Sequence, residues 1–256
     1  DLFHPPPPGP PSPPGAPAPP EPSLAPQQFY QEMKSLPTPE WESVDGVEVQ
    51  ENPRRFLPTG CCYDERMKLH ANADFRIEPH HPEDPRRIQA IFSTFVKHRL
   101  VYLGDEDKLA EILFNNPTKY MYRIQAREAT KEEITTVHTH DHYEWVYNTS
   151  QMESDALRAY SEELDMGRRS LYLGNYTHLA AMVSAGGAIE TCKQVVAGNV
   201  KNAIALIRPP GHHAEAHEAM GFCFFNNVPI AARVCQADFP ETCRKVLILD
   251  WDVHHG

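Results

Sequence analysis

The sequence contains no apolar run approaching the ~20 residues that a membrane-spanning helix needs. Its N terminus, Asp-Leu-Phe-His followed by prolines, lacks the basic region and the apolar core of a signal peptide. We therefore expect no association with a membrane. An initiator Met is also absent, so we expect the chain to begin at the edge of a fragment.

Positive charge is scarce. Lys and Arg number 24 against 35 Asp and Glu, which gives a formal net charge of -11. Because phosphate contacts need clustered cations, this balance argues against direct nucleic-acid binding. An acidic protein suits a basic substrate or partner, such as a lysine-rich tail. Solubility alone explains the charge equally well.

Cysteine is also sparse and irregularly placed. The six cysteines show neither the regular spacing of a zinc finger nor a compact disulfide framework. We therefore expect reduced thiols in a cytosolic or nuclear protein. The six are Cys61, Cys62, Cys192, Cys223, Cys235 and Cys243.

Proline is abundant at one end only. Residues 1–26 hold 13 of the 25 prolines, and such a segment cannot form ladders or bury apolar area. We predict a polyproline II or disordered spacer there, with a ligand for an aromatic-grooved adaptor domain as the alternative. Residues 1–57 are thus the Pro-rich segment and its linker. Residues 58–256 are the folded domain, since 41% of the chain is hydrophobic, enough for a sizeable core.

Within that domain, helical patterns alternate with short apolar runs, which indicates an α/β fold with a parallel sheet. The run 203–207 is continuously apolar, as a buried central parallel strand is, and 245–249 is a similar terminal strand. Thr177 is the predicted cap of a long helix to about Val196. Strands are also predicted near 58–64 and 119–127, and helices after Asp84, from Lys131, over 150–165 and from Asn226 or Asn227 to about 236.

Three alternating histidines, His138, His140 and His142, raise the question of a metal site. Their alternation fits poorly with the geometry of a helix, and acidic Asp141 and Glu144 lie beside them. We interpret the stretch as a surface segment, with a ligand role as the alternative.

The chemistry concentrates after two of the apolar strands, at the carboxyl edge where open α/β folds hold their sites. Asp252 and His254 are two residues apart, so in an extended segment they point the same way. One carboxylate and one imidazole form half to two-thirds of a catalytic zinc site. His212 and His213 follow a Pro-Pro-Gly bend and suit acid/base catalysis, with a surface pair as the alternative.

A glycine-phenylalanine pair lies between these two motifs. Gly221 could let a ligand approach the backbone closely, and Phe222 could form the wall of an apolar channel. A core role for this stretch is the alternative reading. Cys223 is interpreted as structural.

The combined motifs resemble the class II histone deacetylases. They are Arg-Pro-Pro-Gly-His-His-Ala at 208–214, Gly-Phe-Cys-Phe-Phe-Asn-Asn at 221–227 and Asp-Trp-Asp-Val-His-His-Gly at 250–256. Thr59-Gly60 with Tyr63-Asp64, and the stretch 80–88 beginning His-His-Pro-Glu, are similar to the start of that family's domain. The resemblance covers roughly 58–256.

The Pro-Pro-Gly-His-His form and Trp251 favour class II over class I, and the N-terminal half resembles fungal-type members. The resemblance implies an arginase/deacetylase α/β fold and zinc-dependent removal of acetyl groups from lysine. It also implies that this chain is the N-terminal part of a longer catalytic domain.

Carried onto this sequence, the resemblance makes Asp252 and His254 zinc ligands, with the third ligand beyond residue 256. Asp250 would orient His212 and help bind a structural K⁺. His213 would be the general acid/base and His212 its electrostatic partner. The family's oxyanion-polarising Tyr would also lie beyond residue 256, so we expect this stretch alone to be unstable and inactive.

The same resemblance assigns the substrate contacts. Gly221 would receive the substrate amide through its carbonyl, Phe222 would line the acetyl-lysine channel, and Arg87 matches the arginine beside the family's internal acetate exit. The implied partners are acetylated lysines of histone tails or other proteins and a chromatin co-repressor complex. We expect a nuclear location, with cytoplasmic presence also allowed.

Two other functions stay open. An acetylpolyamine amidohydrolase could use the same fold, since the residues that choose its substrate can lie beyond the end. A truncated paralogue kept as an inactive chromatin scaffold is the non-enzymatic alternative. Arginase is disfavoured, because its second metal needs more carboxylates where His255-Gly256 stands here.

Overall fold

The computed structural model describes residues 57–73, 81–167 and 169–256. The predicted Pro-rich segment 1–26, all of the linker 27–57 except Leu57, and His80 of the domain-start motif lie outside these ranges. No helix within them is long and apolar enough to cross a bilayer. The strands are β1 Thr59–Cys62, β2 Tyr122–Ile124 and β3 Asn202–Ala205, with a 3₁₀ helix at Glu65–Leu69. The helices are α1 Arg86–Lys97, α2 Glu106–Asn115, α3 Lys131–Ile134, α4 His140–Thr149, α5 Ser154–Met166, α6 Thr177–Val196 and α7 Asn227–Asp238.

The three strands form one parallel sheet in the order β2-β1-β3. Gly60 of β1 pairs with Tyr122 on one side and Ala203 on the other. A side chain at Gly60 would crowd both neighbours, because a Cβ there would lie 2.5 Å from Ile124 Cδ1 and 3.0 Å from the Ala203 Cβ. Parallel strands joined through helices confirm the predicted α/β class.

Helix α6 is the centre of the domain and packs against the sheet and α7. Its predicted small residues permit close approach: a Cβ on Gly186 would lie 2.0 Å from the Arg127 carbonyl oxygen. Large apolar side chains complete this core, each contributing about 1.5–3 kcal/mol through burial. They include Leu157, Leu171, Leu173, Phe224, Phe225 and Ile230.

The predicted capping role of Thr177 is wrong. Tyr176 precedes the first turn of α6 and makes no side-chain capping hydrogen bond. The Thr177 hydroxyl is buried and accepts instead from the Gly174 amide at 2.8 Å, and it lies 3.0 Å from His70 Nδ1. The hydroxyl therefore ties two loops to the helix rather than capping it.

Two apolar runs differ from their predicted roles. Run 203–207 is not a buried central strand: β3 lies at the edge of the described sheet, and Ile204 is 40% exposed. Segment 245–249 forms no strand, and Leu247 is 91% exposed. A run of apolar residues becomes a central strand only when a neighbour pairs with it, and no described strand lies beyond β3.

The interpretation of the triple histidine as a surface segment is also wrong. Thr139 caps α4 by accepting from the His142 amide, so the helix begins at His140. His138 and His142 are each only 3% exposed, whereas His140 is exposed. Alternation hid this arrangement, because only the first and third histidines face inward.

Helix α2 was not predicted from the sequence. Asp105 caps it by accepting from the amides of Asp107 and Lys108. Leu109 and Leu113, four residues apart, are its buried residues. An N-cap followed by this spacing was the available signal.

Candidate active site

The site begins where the chain leaves β3. The Leu206 amide donates to the Cys62 carbonyl at 2.9 Å and extends the ladder by one bond. The chain then turns through buried Arg208 and a cis peptide bond to Pro209. Gly211 packs closely on the start of α7, because a Cβ there would lie 2.6 Å from the Asn227 amide nitrogen. This tight turn presents His212 and His213.

The structure brings the two predicted strand-end motifs together. His212 Nδ1 lies 2.9 Å from Asp250 Oδ2, although 38 residues separate them. The His212 and His213 rings are 4.0 Å apart, and the His213 and His254 rings are 5.9 Å apart. Asp250, Asp252 and His254 are all exposed. Carboxylates and imidazoles thus converge as the sequence indicated.

Hydrogen bonds shape the terminal stretch around its carboxylates. Asp250 Oδ1 accepts from the Asp252 amide at 3.0 Å, and this bond together with the contact to His212 lowers the pKa of Asp250. Asp252 Oδ1 accepts from the His254 amide at 2.9 Å and lies 2.7 Å from His254 Nδ1. The backbone bond from His254, followed by its side chain, lowers the pKa of Asp252.

As donors for a metal, Asp252 and His254 match zinc in type but not in number. They offer one carboxylate and one imidazole within reach of each other. The described part of the chain contains no group of three His, Cys, Asp or Glu that could hold a metal ion. A zinc site built on this pair needs a further ligand from elsewhere.

The Gly221-Phe222 pair covers His213. Gly221 has φ +55° and Phe222 has φ +69°, both in the left-handed region. Their amides donate to the carbonyls of Arg169 (2.8 Å) and Ser170 (3.1 Å). A Cβ on Gly221 would lie only 2.3 Å from His213 Cδ2, so glycine is required where the backbone crosses the ring.

Replacement of Gly221 by alanine should lower kcat/KM at least tenfold for the hydrolysis of acetyl-lysine that the resemblance implies. The new methyl group would displace the His213 ring, and the φ of +55° adds about 1 kcal/mol of backbone strain. Gly198→Ala is the matched control, since Gly198 also has a positive φ (76°) but lies at the end of α6. Steady-state kinetics of the full-length gene product would test this. Equal losses in both variants would contradict it.

The surroundings of His213 favour its neutral form. Desolvation, followed by the neighbouring His212 and His254, lowers the pKa of His213. A neutral imidazole at neutral pH is able to accept a proton. The local electrostatics therefore agree with the predicted acid/base role, which stays a prediction.

Arg87 lies in the first turn of α1, where its amide donates to the Asp84 carbonyl at 3.0 Å. It is exposed in this structure. Its assignment to an acetate exit therefore stays a prediction.

A buried polar network behind the site was not assigned a role from the sequence. Arg208 donates through Nε and Nη2 to the Glu83 carboxylate at 2.8 and 2.7 Å, and through Nη1 to the Met67 and His70 carbonyls at 2.7 Å each. The Tyr172 hydroxyl donates to the same carboxylate. Arg208 and Glu83 belong to motifs that served only as family landmarks. Neither residue carries a local signal of burial, since Glu83 lies in the polar stretch His-His-Pro-Glu-Asp-Pro-Arg-Arg.

His70 completes this network as a neutral ring. It stacks on Tyr172 with centroids 4.4 Å apart, and its Nε2 lies 3.7 Å from Glu83 Oε2. Burial, with the positive charge of Arg208, lowers the pKa of His70 to about 3. The carboxylate already pairs with Arg208, so it does not hold a proton on His70.

Stability should fall as the pH drops below about 6.5. The unfolded state protonates His70 near its ordinary pKa of 6.5, whereas the folded state resists protonation down to about pH 3. The unfolded state therefore binds more protons in this window, at up to about 1.4 kcal/mol per pH unit for each such group. Burial lowers the pKa of His138, His142 and His178 in the same direction.

Urea denaturation of the full-length gene product at pH 7, 6 and 5 measures this slope. His70→Asn should reduce the slope of the unfolding free energy against pH, by at most the contribution of one proton. The same change at exposed His140, outside the network, is the control. If the free energy of unfolding does not change between pH 7 and pH 5, the interpretation that His70 stays neutral in the folded state is wrong.

The comparisons with known proteins agree with this fold. The model of the histone deacetylase domain matches residues 81–256. The chain belongs to the histone deacetylase family.

Within that family the chain resembles fungal class II members. It is 43% identical over 206 residues to histone deacetylase HDA1 of Saccharomyces cerevisiae, covering 78% of this chain and 28% of that protein. It is 43% identical over 215 residues to histone deacetylase clr3 of Schizosaccharomyces pombe, covering 84% of this chain and 29% of that protein. The chain thus spans under a third of the length of these relatives.

A solved structure supports the fold. The crystal structure of the HDA15 HD domain matches with a TM-score of 0.55 and 34% identity, covering 72% of this chain and 44% of that chain. The match confirms the resemblance to a deacetylase domain that the motifs indicated.

Proposed function

We propose that this chain supplies part of the catalytic domain of a zinc-dependent protein lysine deacetylase, which hydrolyses acetyl-lysine amides on histones or other proteins. The observation that carries the proposal is the convergence of His212 and His213 with Asp250, Asp252 and His254 after β3. Family membership supports the same reaction class.

In this proposal Asp252 and His254 hold zinc, together with a ligand from elsewhere. When bound, zinc supplies the Lewis acidity that a poorly electrophilic amide needs. His213 takes a proton from the attacking water and returns one to the leaving lysine amine. Asp250 orients His212 through the 2.9 Å contact at Nδ1, so His212 contributes charge and position beside His213.

The proposed acetyl-lysine channel is formed in part by Gly221 and Phe222, which lie over His213. The Gly221 carbonyl accepts only a weak bond from the Cys223 thiol, at 3.2 Å, among the contacts described, which leaves it able to accept the substrate amide. Phe222 forms one wall, and its ring lies edge-on to His81 at 4.6 Å. An apolar wall favours neutral acetyl-lysine over charged lysine, whose desolvation is costly.

The wider biological role is part of the same proposal. The net charge of -11 suits basic, lysine-rich histone tails. We propose action within a chromatin co-repressor complex, transcriptional repression and a nuclear location with cytoplasmic presence allowed. We also propose a structural K⁺ held partly by Asp250.

The full-length gene product should hydrolyse an acetyl-lysine peptide much faster than acetylspermidine. A chelator should abolish turnover and added Zn²⁺ should restore it, whereas Asp252→Ala should prevent zinc retention, as measured by elemental analysis. We expect the isolated 256-residue chain to be inactive, because a catalytic zinc site needs three protein ligands and, among the described residues, this site offers only Asp252 and His254. A preference for acetylspermidine, or turnover that survives metal removal, would overturn the proposal.

A further inference from the structure

Two buried histidines contact the backbone of the substrate loop, residues 214–226. His142 Nε2 lies 2.7 Å from the Phe224 carbonyl oxygen. His138 Nε2 lies 2.9 Å from the Asn226 amide nitrogen. Both contacts fall just after Phe222, on main-chain groups of the loop. Neither imidazole belongs to the cluster around Asp252.

The two contacts require opposite tautomers. A carbonyl oxygen can only accept, so His142 must carry its proton on Nε2. An amide N–H can only donate, so Nε2 of His138 must be unprotonated, and the neutral ring then carries its proton on Nδ1. This Nδ1 is buried beside the backbone of Glu215 and Ala216, which belong to the same loop. The hydrogen bond from the Asn226 amide to Nε2 is the contact of defined length that ties His138 to the loop.

The start of α4 also holds the other arm of the loop. The amide of Thr139 donates to the Ala216 carbonyl at 2.8 Å. Asn226 Nδ2 reaches across to the Ala214 carbonyl at 3.3 Å, and Ala214 directly follows His213. Residues 138–142 therefore fix both ends of the loop whose tip places Gly221 over the His213 ring.

The packing between the rings makes this support rigid. The His138 and His142 rings lie 4.9 Å apart, and both contact the ring of Phe225, at 5.6 and 5.8 Å. Phe225 is 1% exposed and belongs to the main hydrophobic core. A displacement of either imidazole would therefore move the backbone between Phe224 and Asn226.

We propose that His138 and His142 are positioning residues, which hold the substrate loop so that the Gly221 carbonyl and Phe222 keep their place over His213. The proposal rests on the proposed function for its catalytic consequence, but its structural part is independent of it. The two imidazoles act through main-chain hydrogen bonds and do not touch the reacting groups.

Matched substitutions separate hydrogen bonding from packing. Leucine at either position fills a similar volume without a polar atom, whereas glutamine places an acceptor and a donor near the position of Nε2. In the full-length gene product, His138→Leu and His142→Leu should raise amide hydrogen exchange in peptides covering 221–226 at least tenfold. His138→Gln and His142→Gln should stay within about threefold of the original rate.

Val146→Ala is the control for general destabilisation. Val146 is fully buried on the same helix and packs in the main core, but it makes no bond to the loop. Its effect should be spread over the core rather than concentrated in 221–226. If Val146→Ala and the leucine variants raise loop exchange equally, the positioning role is wrong.

The kinetic consequence appears in the choice of acyl group. The ratio of kcat/KM for acetyl-lysine to that for propionyl-lysine peptides does not depend on the fraction of folded enzyme. The leucine variants should change this ratio threefold or more, and the glutamine variants should restore it. An unchanged ratio would overturn the catalytic consequence. A wild-type enzyme without deacetylase activity would instead refute the proposed function, and loop exchange would still decide whether the imidazoles position the loop.

Discussion

Replacement of Glu83 by alanine should lower the free energy of unfolding by about 3–5 kcal/mol, because it leaves the Arg208 guanidinium buried without its counter-charge. Both side chains are 1% exposed, and two parallel hydrogen bonds of 2.8 and 2.7 Å join them. Arg208 lies directly before the turn to His212, and it also donates to the carbonyls of Met67 and His70. The same variant should therefore also loosen the active-site turn.

Chemical denaturation of the full-length gene product measures this loss. Arg86→Ala is the matched control, since Arg86 pairs with Asp84 one residue from Glu83, but on the surface. Exposed pairs contribute little, so this control should change stability only slightly. The double variant Glu83→Ala with Arg208→Met should recover much of the loss, because it removes the unpaired charge. A Glu83→Ala variant as stable as Arg86→Ala would contradict the prediction.

The contact between His212 and Asp250 shows which parts of the site were predictable. Each residue follows an apolar run, and parallel strands place their carboxyl ends at one edge. This reasoning predicted the contact between residues 38 positions apart, although the run 245–249 before Asp250 forms no strand in the structure. The expected parallel sheet and the long helix to Val196 are confirmed.

What the sequence did not predict depends on partners distant in the chain. The burial of Glu83 and Arg208 needs each to find the other across 125 residues, and neither shows a local pattern. His138 and His142 face inward because main-chain groups of the substrate loop offer them hydrogen bonds. The run 245–249 has the composition of a strand, but a strand also needs a neighbour that pairs with it. Composition and periodicity describe neighbouring residues only, so they do not predict contacts with distant parts of the chain.

Replacement of His213 by asparagine should reduce kcat by about 10²–10⁴-fold, the range expected when a general acid/base is lost. His213 is the histidine that the Gly221 backbone crosses, and its ring lies 5.9 Å from that of His254. It therefore stands between the Gly221 carbonyl, which is proposed to accept from the substrate amide, and His254, the proposed metal ligand. No other imidazole in the described ranges occupies that place.

His212→Asn is the matched variant, because it alters the adjacent ring while His213 keeps its place. His212 is held by Asp250 at 2.9 Å, so we assign it charge and orientation rather than proton transfer. We expect a smaller loss of kcat than for His213→Asn, with KM for an acetyl-lysine peptide little changed in both. Both side chains are only partly buried, so the melting temperature should stay within a few degrees of the original. A His213→Asn enzyme that keeps more than a tenth of the original kcat, or a larger loss for His212→Asn, would exchange the roles assigned to the two histidines.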